Sequence, residues 1–321
     1  MTLRCAVLDD YQGVALSMAD WSPLEGRVDV RVLRRRIADP DELAAEIGDC
    51  EVVVAMRERT PFGAGLLRRL PRLRLLVTTG RRNASIDLEA AEAAGVTVCG
   101  TSSAVHPTAE LTWALILGLA RHLPTEVRSF REGGPWQSTV GADLDGRTLG
   151  VLGLGRIGGR VARVASAFGM DVLAWSENLT GERAAEAGAR LAGSKEELLG
   201  GSDIVSVHLQ LSERTRGLLG EEELRAMRPH AYLVNTSRSA IIDRAALLRA
   251  LQEGWIAGAG LDVFDTEPVP SDDPLRTLPN VLATPHLGYV TEGNYRTFYG
   301  EAVEDITAFL DGEPVRLLTK A

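Results

Sequence analysis

Short runs rich in β-branched and apolar residues alternate with helix-like stretches along the whole chain, and this alternation restricts the fold more than any other feature. The first series is Arg4–Leu8, Val28–Leu33, Glu51–Ala55, Leu73–Val77 and Val96–Cys99, with helical segments such as Asp41–Ile47 and Leu88–Ala94 between them. A second series follows: Thr148–Leu152, Asp171–Trp175, Asp203–His208, Ala231–Asn235, Ala257–Asp262 and Val281–Ala283. Strands that alternate with helices build βαβ units and parallel sheets. Two such series in 321 residues predict an α/β protein of two domains, each able to bury a core. Between the series, Thr108–His122 reads as a helix apolar on most faces, through Leu111, Trp113, Leu115, Ile116, Leu117 and Leu119. It should be deeply buried and is the candidate hinge helix, with the boundary near residue 101. Thr108, after Pro107, is its expected N-cap, with Glu110 in the first turn. A last amphipathic helix, Glu292–Leu310, can pack back on the first domain and make that domain discontinuous.

Composition removes several classes of function. A net charge of −9 argues against a nucleic-acid or anionic-membrane partner. The basic run Arg34-Arg35-Arg36 is expected to be a solvated turn. No apolar run approaches the roughly 18–20 residues that span a bilayer. The N-terminal stretch turns acidic at Asp9 and Asp10, too soon for a signal peptide. Cys5, Cys50 and Cys99 are widely separated and set beside apolar residues, which reads as reduced thiols of a cytoplasmic protein. The histidines, His106, His122, His208, His230 and His286, show no metal-ligand spacing. Lys195 and Lys320 are the only lysines, so neither a Gly-Lys-Ser/Thr phosphate loop nor a buried Schiff-base amine is available.

Gly153-Leu154-Gly155-Arg156-Ile157-Gly158 is weak evidence as a bare glycine pattern. Its context is stronger. The run follows the apolar strand Leu149–Leu152, leads into the helical stretch Val161–Phe168, and continues to a strand that ends in Ser176-Glu177. Glycines there permit a tight turn and close approach of a pyrophosphate to a helix N-terminus. Glu177, 24 residues after Gly153, stands where an acid reaches a ribose 2′-hydroxyl. Three polar residues then fall just past the ends of three consecutive strands: Arg238, Glu267 and His286. A carboxylate beside an imidazole favours its protonated form, and a guanidinium can hold a carboxylate and polarise a carbonyl.

On these residues the sequence resembles the D-isomer-specific 2-hydroxyacid dehydrogenase family over nearly the whole chain. The most specific blocks are Leu149–Gly158, Val234–Asp243, Gly258–Pro268 and Thr284–Thr291. The resemblance implies two Rossmann-like, doubly wound parallel-sheet domains. One is a discontinuous, flavodoxin-like substrate domain, 1–100 plus 291–321, and the other a dinucleotide-binding domain, 101–290. It implies NAD as cofactor, with NADP possible, and hydride transfer between nicotinamide and a 2-keto or D-2-hydroxy acid. Arg238 would bind substrate, Glu267 would orient His286, and His286 would be the acid/base. Besides the glycine run with Arg156 and Ile157, and Ser176 with Glu177, it suggests cofactor contacts from His208, Thr215, Thr236, Asp262 and Gly288. Substrate contacts fall on Arg57 and on the loop beginning Gly80-Arg81-Arg82.

Two departures from the family pattern matter. Arg81 and Arg82 stand where the family has a small apolar residue and a glycine. They either point to solvent or pair with a second anionic group, such as the phosphate of phosphoglycerate dehydrogenase substrates. Ser176 replaces the usual Asp, which leaves NADP open, although the nearest following base, Arg183, is not obviously in reach. Within the family the alternatives are phosphoglycerate dehydrogenase, glyoxylate/hydroxypyruvate reductase or the reductase of another doubly anionic keto acid. Outside enzymes, the same fold serves an NAD-sensing corepressor, which the acidic charge disfavours. The apolar helix Leu111–Leu119, with the resemblance, suggests a homodimer.

Overall fold

The computed structural model describes residues 2–319; Met1, Lys320 and Ala321 lie outside them. The chain divides into two compact units: one runs to Ala104 and resumes at Thr291, and the other is Val105–Val290.

The first unit is a parallel sheet of β1 (Leu3–Val7), β2 (Val28–Val32), β3 (Val52–Ala55), β4 (Leu75–Thr78) and β5 (Thr97–Gly100), in the order β2-β1-β3-β4-β5. Val7 stands opposite Val32 on one side and Val54 on the other. Every residue of β3 and β4 is buried, because helices cover both faces of such a sheet and leave no polar side. The order is the flavodoxin-like one, with the reversal of direction between β1 and β3. Helix Pro40–Ile47 starts where its sequence dictates: the Asp39 carboxylate accepts the N–H groups of Asp41 and Glu42, and Pro40 fills the first turn.

Helix Glu292–Leu310 completes this unit. It buries Tyr295, Phe298, Tyr299, Ala302, Val303 and Ile306, a three-and-four spacing that puts all six on one face. Two of its polar side chains hold the segment after β5, Asn294 accepting the Ala104 N–H (2.9 Å) and Glu301 the Ser102 N–H. The tail beyond the helix returns along β5, the Gly100 N–H donating to Arg316 and the Leu318 N–H to Val98. Arg316 Nε bonds the fully buried Asp305 at 2.9 Å, whose carboxyl burial pushes up to about 6.

The second unit is a seven-stranded parallel sheet: β6 (Thr148–Leu152), β7 (Asp171–Trp175), β8 (Arg190–Leu191), β9 (Ile204–Val207), β10 (Tyr232–Asn235), β11 (Gly258–Leu261) and β12 (Val281–Ala283). Its order is β12-β11-β10-β9-β6-β7-β8, so β6 lies between β9 and β7. Helix His106–Ala120 packs Trp113, Leu115 and Ile116 into a core with Leu149, Val151 and Val161. It begins two residues before Thr108, which corrects the expected cap. Val105 precedes the helix with no side-chain cap, Pro107 lies in the first turn, and Glu110 falls beyond it. Proline has no N–H to satisfy and its φ is already helical, so the start needs no hydroxyl there. The Thr108 hydroxyl donates instead to the Gly288 carbonyl (2.9 Å). Cys5, Cys50 and Cys99 are free and buried. No helix among the described residues is long and apolar enough to cross a membrane.

Candidate active site

The glycine run links β6 to helix Arg156–Ala167, and its three glycines do three different things. Gly153 has φ +95°, a left-handed turn that a side chain would strain, and its N–H donates to the Trp175 carbonyl at the end of β7. Gly155 precedes the helix without a side-chain cap, and a Cβ there would meet nothing within 4 Å. Gly158 is the close-packing position: a Cβ there would sit 2.1 Å from the Gly153 carbonyl oxygen. Arg156 is exposed and Ile157 half-buried in the first turn. Open space over Gly155, uncapped helix N–H groups and an acid at the end of β7 suit a dinucleotide pyrophosphate and its ribose.

Other expected cofactor contacts follow β9, β10, β11 and β12 of the same sheet, and several use their polar atoms within the chain. The His208 N–H donates to Leu152 (2.7 Å), and its ring Nε2 meets the Ser206 hydroxyl at 2.8 Å. Desolvation pushes the His208 imidazole down to about 4, so it is neutral at neutral pH. The Thr236 hydroxyl is buried against Thr112 (2.8 Å), and the Thr215 hydroxyl donates to the Gln210 carbonyl (2.6 Å). Asp262 is 1% exposed and holds the loop after β12: Thr284 Oγ1 and the N–H groups of Leu287 and Gly288 donate to it at 2.6–2.8 Å. Burial pushes its carboxyl above the ordinary range despite those bonds. Ser176 is half-buried, and the exposed Glu177 pairs with Arg214 at 3.2 Å.

Arg238, Glu267 and His286 follow β10, β11 and β12, three neighbours at one end of the sheet. His286 Nδ1 lies 2.7 Å from Glu267 Oε2. The other carboxylate oxygen accepts the Phe264 N–H at 2.9 Å, which fixes the acid from behind. Burial works to raise Glu267, but the His286 hydrogen bond and charge, the Phe264 N–H and the Arg238 charge outweigh it and hold the carboxyl below its usual range. Arg238 is half-buried, with Nη1 on the Ser237 carbonyl at 2.8 Å. Sequence reasoning missed three residues here. Ser206 could have been found, since it lies two residues before His208, which directly follows β9, and extended chain puts alternate residues on one face. Tyr289, whose ring meets His286 edge-on at 5.3 Å, follows it by three residues. Arg214 carried no local signal.

Arg57, Gly80, Arg81 and Arg82 belong to the first unit. Gly80 has φ +106°, and a Cβ there would collide with the Arg57 guanidinium, 2.0 Å from its Nη1. The Gly80 N–H is already donated to the Thr101 hydroxyl (2.9 Å). Arg57 is half-buried, with Nε 3.6 Å from Glu58, whereas Arg81 and Arg82 are exposed.

Residues 113–288 match the family model for the NAD binding domain of D-isomer specific 2-hydroxyacid dehydrogenases. A glyoxylate reductase of Aeropyrum pernix is 42% identical over 258 residues, taking in 77% of this chain and 76% of that one. A D-3-phosphoglycerate dehydrogenase of Bacillus subtilis is 36% identical over 289 residues, 89% of this chain but 54% of that longer one. The crystal structure of a phosphoglycerate oxidoreductase from Vibrio cholerae superposes with a TM-score of 0.92 at 37% identity, covering 97% of this chain and 100% of that one. With half the chain matched by the family model and relatives of this identity aligned over most of its length, the chain belongs to the D-isomer specific 2-hydroxyacid dehydrogenase family and is an NAD(P)-dependent oxidoreductase.

Proposed function

We propose that His286 is the acid/base of this oxidoreductase, that Glu267 orients it, and that Arg238 holds the carboxylate of a small 2-keto acid. The 2.7 Å bond from Glu267 to His286 Nδ1 carries the reading, because it leaves Nε2 as the nitrogen that can face a substrate oxygen. When bound, the nicotinamide supplies the hydride that reaches the carbonyl carbon. His286 gives its proton to the carbonyl oxygen, the hydroxyl forms, and the neutral imidazole regains a proton from solvent; the reverse direction uses it as base. Arg238 pairs with the substrate carboxylate and offsets charge developing on the oxygen.

Glyoxylate is the proposed substrate, on the strength of the glyoxylate reductases among the relatives, and hydroxypyruvate, which adds a hydroxymethyl group to the same 2-keto carboxylate, stands beside it. A doubly anionic keto acid is a second reading, favoured by Arg57, Arg81 and Arg82 on one unit and by the phosphoglycerate dehydrogenases. The test is dinucleotide oxidation against glyoxylate, hydroxypyruvate, 3-phosphohydroxypyruvate, phosphonopyruvate and 2-oxoglutarate. Glyoxylate and hydroxypyruvate are expected to give the highest kcat/KM, and no turnover with any of the five would sink the reading. Arg82→Ala then weighs the second reading: an unchanged ratio of dianionic to monoanionic efficiency removes it.

The protein is further proposed to be a cytoplasmic homodimer. The free, buried cysteines support the compartment. For the dimer, the apolar helix that first suggested it spends its large side chains inside its own unit. The following helix, Leu123–Glu132, and the segment after it carry the exposed apolar surface: Phe130 is 74% exposed, Trp136 80% and Val140 92%. Exposed apolar surface of this kind marks an interface. Light scattering of the wild type should give twice the chain mass, and Phe130→Asp with Trp136→Asp should give the monomer. A wild type that is monomeric at micromolar concentration ends this proposal.

A further inference from the structure

Glu177 lies two residues past β7, where an acid can accept the hydroxyl of a bound ribose. The fold sets a base against it that sequence proximity does not provide. Arg214 lies in the loop after β9, and its Nη1 is 3.2 Å from Glu177 Oε2. β9 and β7 are the two neighbours of β6, so this pair joins the segments that follow the strands on either side of the one leading into the Gly153–Gly158 turn. The loop is shaped by its own hydrogen bonds. Thr215 Oγ1 donates to the Gln210 carbonyl and accepts the Ser212 N–H, while the Gly217 N–H is tied to Ala240 at 2.8 Å. Both charged side chains are mostly solvated, 73% exposed for Arg214 and 64% for Glu177, so the pair contributes little to stability and exchanges partners at little cost.

We propose that Arg214 is the specificity-determining residue for the adenosine 2′ position, so that the enzyme uses NADPH as well as NADH. This rests on the glycine loop being the dinucleotide site. With NADH, Glu177 accepts a ribose hydroxyl. With NADPH, Arg214 leaves the carboxylate for the 2′-phosphate, a more highly charged acceptor that suits the planar guanidinium fork. Ser176, small and polar, leaves room beside it.

Direct binding tests this without any keto acid. NADH and NADPH are titrated by nicotinamide fluorescence at fixed ionic strength, in wild type, Arg214→Ala, Glu177→Ala and Arg156→Ala. The wild type should bind the two within about tenfold of each other, and Arg214→Ala should weaken NADPH by about tenfold or more, the scale of a charge-assisted bond, with NADH changed far less. Glu177→Ala should weaken NADH and spare NADPH. Equal changes for both nucleotides in Arg214→Ala, or loss of NADPH binding in Arg156→Ala with none in Arg214→Ala, overturns the assignment. Binding of neither nucleotide by the wild type overturns the reading of the glycine loop itself, a result distinct from an unchanged preference.

Discussion

His286→Ala is expected to lower kcat for keto-acid reduction by about a thousandfold or more, toward the upper end of what a positioned general acid contributes. Dinucleotide affinity should change little. The expectation follows from how completely the surroundings commit this ring. Glu267 takes Nδ1 at 2.7 Å, and the Phe264 N–H takes the other carboxylate oxygen. Asp262 ties down the backbone of Leu287 and Gly288 immediately after the ring. The edge of Tyr289 limits its swing. His286 itself has φ +54°, an uncommon backbone for a histidine that this web of bonds must maintain. Glu267→Gln keeps a hydrogen bond but removes the charge, so an intermediate loss of about ten- to a hundredfold is expected, seen in kcat more than in KM. Since Glu267 is held below the ordinary carboxylate range, it stays ionised as pH falls to that range. The acid limb of the wild-type pH profile should therefore not report its titration. Near-full turnover by His286→Ala would mean that the proton comes from elsewhere.

Much of this was legible in the sequence because a buried parallel strand leaves a plain trace. Thr148–Leu152, Asp171–Trp175 and Val281–Ala283 appear with the predicted ends, since each is an apolar run stopped by polar or glycine residues. The gathering of Arg238, Glu267 and His286 past three neighbouring strands was legible for a related reason. A parallel sheet puts all its strand ends on one side, so polar residues placed just after successive strands must gather there. What stayed hidden depends on contacts between distant parts of the chain. β8 has two residues, too few to show a period. The expected N-cap at Thr108 failed because its hydroxyl has a partner 180 residues away, Gly288, that outbids the local backbone. Thr236 and Asp262 were expected at the cofactor, but their partners within the chain, Thr112 in one case and the loop after β12 in the other, appear only once the helix and strands pack. Arg214 meets Glu177 across 37 residues and an intervening strand, where no motif reaches.

The glycine loop yields the sharpest separation between fold and function. Gly158→Ala should destabilise the second unit, by about 2–3 kcal/mol on the scale of an overpacked core site, and lower its Tm by roughly 5–10 °C. The reason is that its Cβ would lie 2.1 Å from the Gly153 carbonyl oxygen and 3.1 Å from Val151 Cγ1. The first of these is backbone in a turn that the Gly153–Trp175 hydrogen bond holds in place, so helix Arg156–Ala167 must move away from the strand. That shift drags the first-turn N–H groups off any bound pyrophosphate, so dinucleotide affinity should fall with stability. Gly155→Ala should do the opposite. Its φ of −81° suits alanine, and the new methyl would enter open space, so the Tm should stay within about a degree of wild type. If the pyrophosphate approaches through the space it fills, as proposed, NADH binding should weaken by about tenfold or more, as a clash there removes charge-assisted bonds. Thermal melts and NADH titrations on the two variants separate these effects. If Gly155→Ala binds NADH like the wild type, the pyrophosphate does not cross that point, and the helix N-terminus loses its assigned role.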